Sequence, residues 1–256
     1  MADIPDLGIV PLELGPGAAA AIMIACFLGS CLTAAFSIGG GLLLIAVMST
    51  LMPIGAVVPV HGALMVGSNA GRFAILRRAV DWPTVGWFAG GAAVGGLAGS
   101  RFVFGLPADA LRLAIAGFIL FTQWGPKVSL PLGRRSFVAV GALSTFLTLF
   151  VGATGPFMTA VLAKMPRYDR VNLIATGGAC MMLQHGAKVA IFALGGFAYA
   201  PWAPFVGACV ACGFAGTVLG TRLLTRIDEA VFRAALRWIL TALAAYLLVA
   251  GLISLA

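Results

Sequence analysis

Charge is what this sequence has least of. Asp and Glu together number 8 in 256 residues, and all charged residues make up 9% of the chain. A soluble domain carries roughly 25%, so an ordinary water-facing surface is excluded. Carboxylates are confined to Asp3, Asp6, Glu13, Asp81, Asp109, Asp169, Asp228 and Glu229, none of them in the interior of a long apolar run. An aspartyl dyad inside a membrane is therefore excluded as well. Histidine appears twice, and neither HExxH nor GxSxG occurs, which leaves no zinc protease and no serine hydrolase motif. Gly67-Ser68-Asn69-Ala70-Gly71 is not a nucleophile elbow. Cysteine is sparse, at 5 residues. Cys209 and Cys212 have metal-like spacing but no second pair and no nearby histidine, so they carry no metal. Nothing indicates an enzyme or a cofactor.

What fills the chain is apolar. Hydrophobic residues make up 61% and mean hydropathy is +1.07. Apolar runs recur from end to end, at about 17–36, 39–52, 55–77, 82–101, 107–124, 134–150, 152–164, 168–196, 201–221 and 229–254, separated by Pro/Gly punctuation. The expected fold is an all-α polytopic membrane protein. The first residues are acidic and lack a basic n-region, so the segment from about Gly17 reads as a span rather than a signal peptide. Net charge is +8, which in a soluble protein would suggest nucleic acid. Here the basic residues sit at segment ends, where they set topology and meet the lipid bilayer, and no nucleic-acid partner is implied.

Two runs are short. Those at 39–52 and 152–164 hold about 13 residues, roughly 20 Å of helix, against a hydrocarbon core of about 30 Å. Each opens in glycine, Gly39-Gly40-Gly41 in one and Gly152-Ala153-Thr154-Gly155-Pro156 in the other. They read as broken or re-entrant helices. A helix start presents unpaired N–H groups and a positive dipole end, suited to an anion. Broken backbone at this depth is tolerated only where it lines a cavity or is buried in protein.

Basic clusters follow alternate segments: Arg77-Arg78; Lys127, Arg134 and Arg135; Lys164, Arg167 and Arg170; Arg222 and Arg226. With each short run counted as one reversal, the positive-inside rule places both termini outside. The chain then divides into a short extracytoplasmic segment, 1–16, a first repeat, 17–126, and a second, 127–256, each of about five segments and of opposite orientation. Ungapped comparison supports duplication: Gly39 falls on Gly155, Ser68 on Gln184, Asn69 on His185 and Arg72 on Lys188. With small shifts, Trp82 meets Trp202 and Gly99-Ser100-Arg101 meets Gly220-Thr221-Arg222.

The ionisable residues away from segment ends are His61, Arg72, His185 and Lys188. Intramembrane charge is costly and marks function. With no carboxylate in the interior of any span, a bound anion is the natural counter-ion for Arg72 and Lys188. Ser68, Asn69, Gln184 and His185 lie within a turn of these cations and could orient oxyanion oxygens. The candidate site is thus Gly39, Gly40, Gly41, His61, Ser68, Asn69, Arg72, Thr154, Gly155, Gln184, His185 and Lys188. The five tryptophans sit mostly at expected boundaries, as an aromatic belt would.

These motifs resemble a family. "SIGGGLLL" after the first span, a second span ending "GSNAGRFAILRRAVDW", a Gly/Ala-rich span closing in "GSR", then "GATGP", "QHGAKVAIF" and "GTR" are similar in order and spacing to the sulfite exporter TauE/SafE family. The resemblance implies transport of sulfite, sulfoacetate, another organosulfonate or a related sulfur compound across the bacterial inner membrane. The reading is a carrier of a small sulfur-containing anion working by alternating access. A passive anion channel and a permease for a neutral or zwitterionic sulfur compound are the alternatives. Oligomeric state is not written in the sequence.

Overall fold

The computed structural model describes residues 9–36, 39–125, 133–165, 168–223 and 229–255. Among them, apart from short 3₁₀ turns, the regular elements are α-helices: α1 (Pro16–Phe36), α2 (Gly40–Leu51), α3 (Ile54–Leu76), α4 (Trp82–Val103), α5 (Ala108–Trp124), α6 (Phe137–Val151), α7 (Gly155–Leu162), α8 (Arg170–Leu194), α9 (Ala203–Leu223) and α10 (Glu229–Leu255). Among the described residues, five segments are long and apolar enough to cross a membrane: Pro16–Ala34, Ile54–Gly71, Arg134–Val151, Ala200–Gly220 and Ala234–Ser254.

Punctuation in the sequence sets the helix ends. Pro53 precedes α3, and Pro83 enters α4 in its first turn, where a missing N–H costs nothing. Asp169 caps α8 by accepting from the Asn172 N–H at 2.7 Å. Glycines close α5, α6 and α8 at Gly125, Gly152 and Gly195. The two short runs are short helices: α2 has 12 residues and α7 has 8.

Helix α1 packs along α9, and α4 along α6. Both pairs close through glycine. A Cβ at Gly91 or Gly95 would overlap the backbone of Val138 or Ala142, and one at Gly216 or Gly220 would overlap that of Phe27 or Cys31. With no hydrophobic drive between helices in lipid, such close backbone approach supplies the dispersion contact that holds them. Helices α3 and α8 pack on each other between these pairs, and α5 packs on α10 to one side. Helix α2 lies against α1, α3 and α10. The core follows α2 and the first half of α3, where Ile45, Ala46, Met48, Val57 and Val60 are fully buried.

Trp82, Trp87, Trp124 and Trp238 are exposed on the outer surface as an aromatic belt requires, but Trp202 is buried at 4%. It sits in the short 3₁₀ turn Ala200–Trp202 before α9 and packs into the main core. Arg112, in the first turns of α5, pairs with Asp109 at 3.0 Å.

Candidate substrate site

Helix α6 ends at Gly152, whose φ of 75° is a conformation that glycine adopts without Cβ strain. The turn aims the Gly152 carbonyl back into the protein. It accepts from the Lys188 ammonium at 2.9 Å and from the Thr148 hydroxyl at 3.0 Å. Lys188 is wholly buried. Its stem passes Gly62 of α3, where a Cβ would stand 2.7 Å from Lys188 Cε. The absence of a side chain at Gly62 is what lets a lysine lie between α3 and α8.

Just beyond the break, three polar side chains close on one another. Ser144 of α6 bonds to Gln184 of α8, Gln184 Nε2 donates to Thr154 at 2.7 Å, and the Thr154 and Ser144 hydroxyls lie 3.0 Å apart. Each hydroxyl has one hydrogen, so the consistent set runs Ser144 to Gln184 Oε1, Gln184 to Thr154, and Thr154 to Ser144. All three are fully buried. This ring holds the start of α7 against α6 and α8.

The first break is built differently. Gly39 precedes α2 with a φ of 95°, and the Leu43 N–H makes the first intrahelical bond, to the Gly39 carbonyl. The N–H groups of Gly40, Gly41 and Leu42 therefore lie ahead of the ladder and have no intrahelical acceptor. Ser37 and Ile38 of the same motif lie outside the described residues. His61 of α3 reaches this turn, with Nε2 at 3.1 Å from the Gly41 carbonyl. The His185 ring meets it edge to face at 5.9 Å between centroids.

A cavity of about 320 Å³ lies between these two breaks. Of the residues singled out from the sequence, Gly39, Gly40, Gly41, His61, Ser68, Asn69, Gly155 and His185 line it. Thr154, Gln184 and Lys188 stand one layer behind, in the networks just described. Asn69 commits one amide hydrogen to the Met65 carbonyl at 2.7 Å. Arg72 lies on α3, with its side chain outside the described residues. Among the described lining residues there is no Asp or Glu. The cavity extends towards Leu76, Leu162 and Leu173, the end of the molecule that carries Arg77, Arg78 and Lys164.

A family model described as Sulfite exporter TauE/SafE matches residues 22–247. The chain belongs to the sulfite exporter TauE/SafE family. It is accordingly a membrane transporter and not an enzyme. No curated protein and no solved structure matches it.

Sequence reasoning misses several residues that hold together the helices around this TauE/SafE cavity. Ser144 and Thr148 stand four apart in an otherwise apolar helix, so they share one face. That spacing is the signal the sequence offers. Asp81 is another. In the sequence it is one carboxylate among those set apart from the candidate site, yet it accepts from Arg134 at 3.0 Å, Tyr168 at 2.9 Å and Thr84 at 3.0 Å. Its own N–H bonds to Thr176 at 3.0 Å, and Asn172 donates to the Ala79 carbonyl at 3.0 Å. Burial raises the Asp81 carboxyl, but the three hydrogen bonds and the Arg134 charge outweigh it and hold the group below its ordinary value. Burial also pushes the Tyr168 phenol up to about 12. The cluster ties the start of α4 to the starts of α6 and α8. Only the folded chain brings residues so distant in sequence together.

Proposed function

We propose that this TauE/SafE transporter is a secondary carrier for a small sulfur-containing oxyanion such as sulfite, sulfoacetate or another organosulfonate. It works in the bacterial inner membrane by alternating access around the cavity between the two helix breaks. The observation that carries the reading is Lys188. It is a wholly buried cation that donates to a neutral carbonyl, behind a cavity whose described lining has no carboxylate. Buried charge without an opposite charge is costly, and an anion in the cavity offsets that cost. Backbone N–H groups at the start of α2, with Ser68, Asn69 and His185, would receive the oxygens. Gly39, Gly40, Gly41, His61 and Gly155 would shape the wall, Arg72 would add charge, and Thr154 and Gln184 would hold the α7 start in place.

Two inverted repeats, 17–126 and 127–256, form one integral unit in this reading. The helix pairing supports it. A two-fold relation that exchanges α1 with α6 and α4 with α9 turns the α1–α9 contact into the α6–α4 contact, and both occur. The same relation returns the α3–α8 and α5–α10 contacts to themselves, and both are present. The glycine faces correspond too: Gly95 on α4 against Gly216 on α9, in the register that sets Gly99 on Gly220. With the Arg77–Arg78 end cytoplasmic by the positive-inside rule, the cavity reaches the cytoplasmic side. The far end carries Phe104 against Phe192, Phe197 against Tyr199, and the Tyr199 hydroxyl on the Pro59 carbonyl at 3.4 Å.

The test is thermal stability of the purified protein against sulfite, sulfoacetate, taurine, thiosulfate, sulfate and chloride. A bound ligand stabilises by mass action, about 2.7 kcal/mol at a hundredfold excess over Kd. A saturable shift with sulfite or a sulfonate, lost in Lys188→Ala, is the expected result. A shift with taurine alone, unaffected by Lys188→Ala, would replace the anion with a zwitterion. Counterflow in proteoliposomes separates the carrier from a channel, which would show conductance without it.

A further inference from the structure

We propose that His61 and His185 form a proton-binding site in the cavity wall, so that the carrier moves a proton together with its anion. This rests on the reading of the cavity as an anion site.

The geometry of His61 leaves one place for the proton. A carbonyl oxygen only accepts, so the contact at 3.1 Å to Gly41 requires a hydrogen on Nε2. In the neutral imidazole Nδ1 is then a bare acceptor. That atom is buried without a hydrogen-bond partner. It faces the Gly152 turn, 3.8 Å from where a Cβ of Gly152 would stand. An unpartnered buried acceptor costs roughly 1–3 kcal/mol, which the fold tolerates at a position bordering the cavity. A proton placed there makes Nδ1 a donor towards the backbone of the break.

The surroundings decide when that proton binds. From α8, His61 faces the His185 ring and the Lys188 ammonium. From α2 and from the α6–α7 break it faces backbone carbonyls, those of Gly41 and Gly152. Helices α1 and α9 add the thiols of Cys26 and Cys209 to the cavity wall. No carboxylate stands among the described lining residues, and with those two thiols the histidines are its titratable groups. In an empty cavity, a second positive charge beside Lys188 has nothing to balance it, and in a medium of low dielectric that repulsion is strong. A sulfonate that also carries a carboxylate brings two negative charges; Arg72 lies eleven residues along α3 from His61, roughly 16 Å of helix, so beside the histidines Lys188 balances one. The proton on the histidine pair balances the other. Anion and proton therefore favour each other's binding, and the linkage is reciprocal.

The proton is picked up from water and released to water with no bond in the anion broken. Sulfoacetate is the suitable probe, because both of its acid groups stay ionised near neutrality. Calorimetric titration of the purified wild-type protein, in buffers of different ionisation enthalpy between about pH 6 and 8, reads the proton count directly. About one proton taken up per sulfoacetate, with affinity falling roughly tenfold for each unit rise in pH, is the expected result. In proteoliposomes containing a pH dye, sulfoacetate movement carries acid with it. Binding with no proton uptake and no pH dependence overturns the proton site and leaves the anion site standing. No binding by sulfoacetate or sulfite overturns the anion reading, and this proposal falls with it. His61→Gln is expected to bind sulfoacetate without proton uptake and with a flat pH profile. Full proton uptake in both His61→Gln and His185→Gln overturns the assignment to this pair. Should either variant fail to fold, the wild-type proton count decides.

Discussion

The Lys188 ammonium donates to the Gly152 carbonyl at 2.9 Å, tying α8 to the break where α6 gives way to α7. One bond thus joins a wholly buried cation to a turn that runs through positive φ. Replacement by methionine keeps most of the stem and removes the charge. The Gly152 carbonyl still has Thr148, so Lys188→Met should change stability by less than about 1.5 kcal/mol. Its stabilisation by sulfite or sulfoacetate should vanish. Melting curves with and without ligand measure both, and a full ligand shift in the methionine variant would remove Lys188 from the site.

Gly62→Ala tests the same bond from the other side. The new Cβ would stand 2.7 Å from Lys188 Cε, so the lysine stem must move. Anion affinity should fall about fivefold, roughly 1 kcal/mol, in a protein that still folds. Titration calorimetry checks it, and unchanged affinity would show that Lys188 has room to adjust.

Gly152→Ala should be more severe. A φ of 75° costs a residue with a Cβ about 1–2 kcal/mol, and that Cβ would overlap Ile45. Loss of about 3 kcal/mol or more is expected once overpacking is added. The readout is the melting temperature. A variant as stable as the parent would mean the break can relax.

Asp81 sets an acid limit. Its carboxyl is held below the ordinary value of 3.8, so its contribution is present above that value and is lost as pH falls through the lower, folded one. Asp81→Asn should cost about 1–3 kcal/mol at neutral pH. The difference between parent and variant should shrink below about pH 4. Melting temperature against pH for both proteins measures it. A constant difference down to about pH 3 would mean the charge of Asp81 is immaterial to the cluster.

The α4–α6 pair offers a contrast within one helix. Gly95→Leu drives a side chain into the Ala142 backbone and should prevent assembly, read as loss of the monodisperse peak in size-exclusion chromatography. Gly90 lies next to the interface, and a Cβ added there would meet nothing within 4 Å. Gly90→Ala should stay within about 0.5 kcal/mol. Equal behaviour of the two would rule out glycine packing as the cause.

Much of the fold was legible because membrane helices announce themselves. Apolar length, Pro/Gly punctuation and basic ends follow from hydration and hydrogen-bond satisfaction, which act locally along the chain. The two short helices were legible for the same reason. At the candidate site, Gly39–Gly41, His61, Ser68, Asn69 and His185 could be singled out as polar or glycine positions at membrane depth. Their division into lining and support could not. Gln184 and Thr154 look as available as Ser68 in the sequence, yet they close a ring with Ser144 and do not line the cavity. Trp202 reads like its four fellows and is buried where they are exposed.

The sequence by itself determined that this chain is a bundle of membrane helices with two short breaks, and that its deepest cations, away from the segment ends, have no carboxylates beside them in the span interiors. Those are properties of composition and order, and each segment expresses them alone. Tertiary structure decided the partners. Which carbonyl takes the Lys188 ammonium, which helix pairs close through glycine, and which imidazole nitrogen is left without a partner all depend on contacts between residues far apart in the chain. Such contacts are set by shape and packing in three dimensions, and no local pattern encodes them.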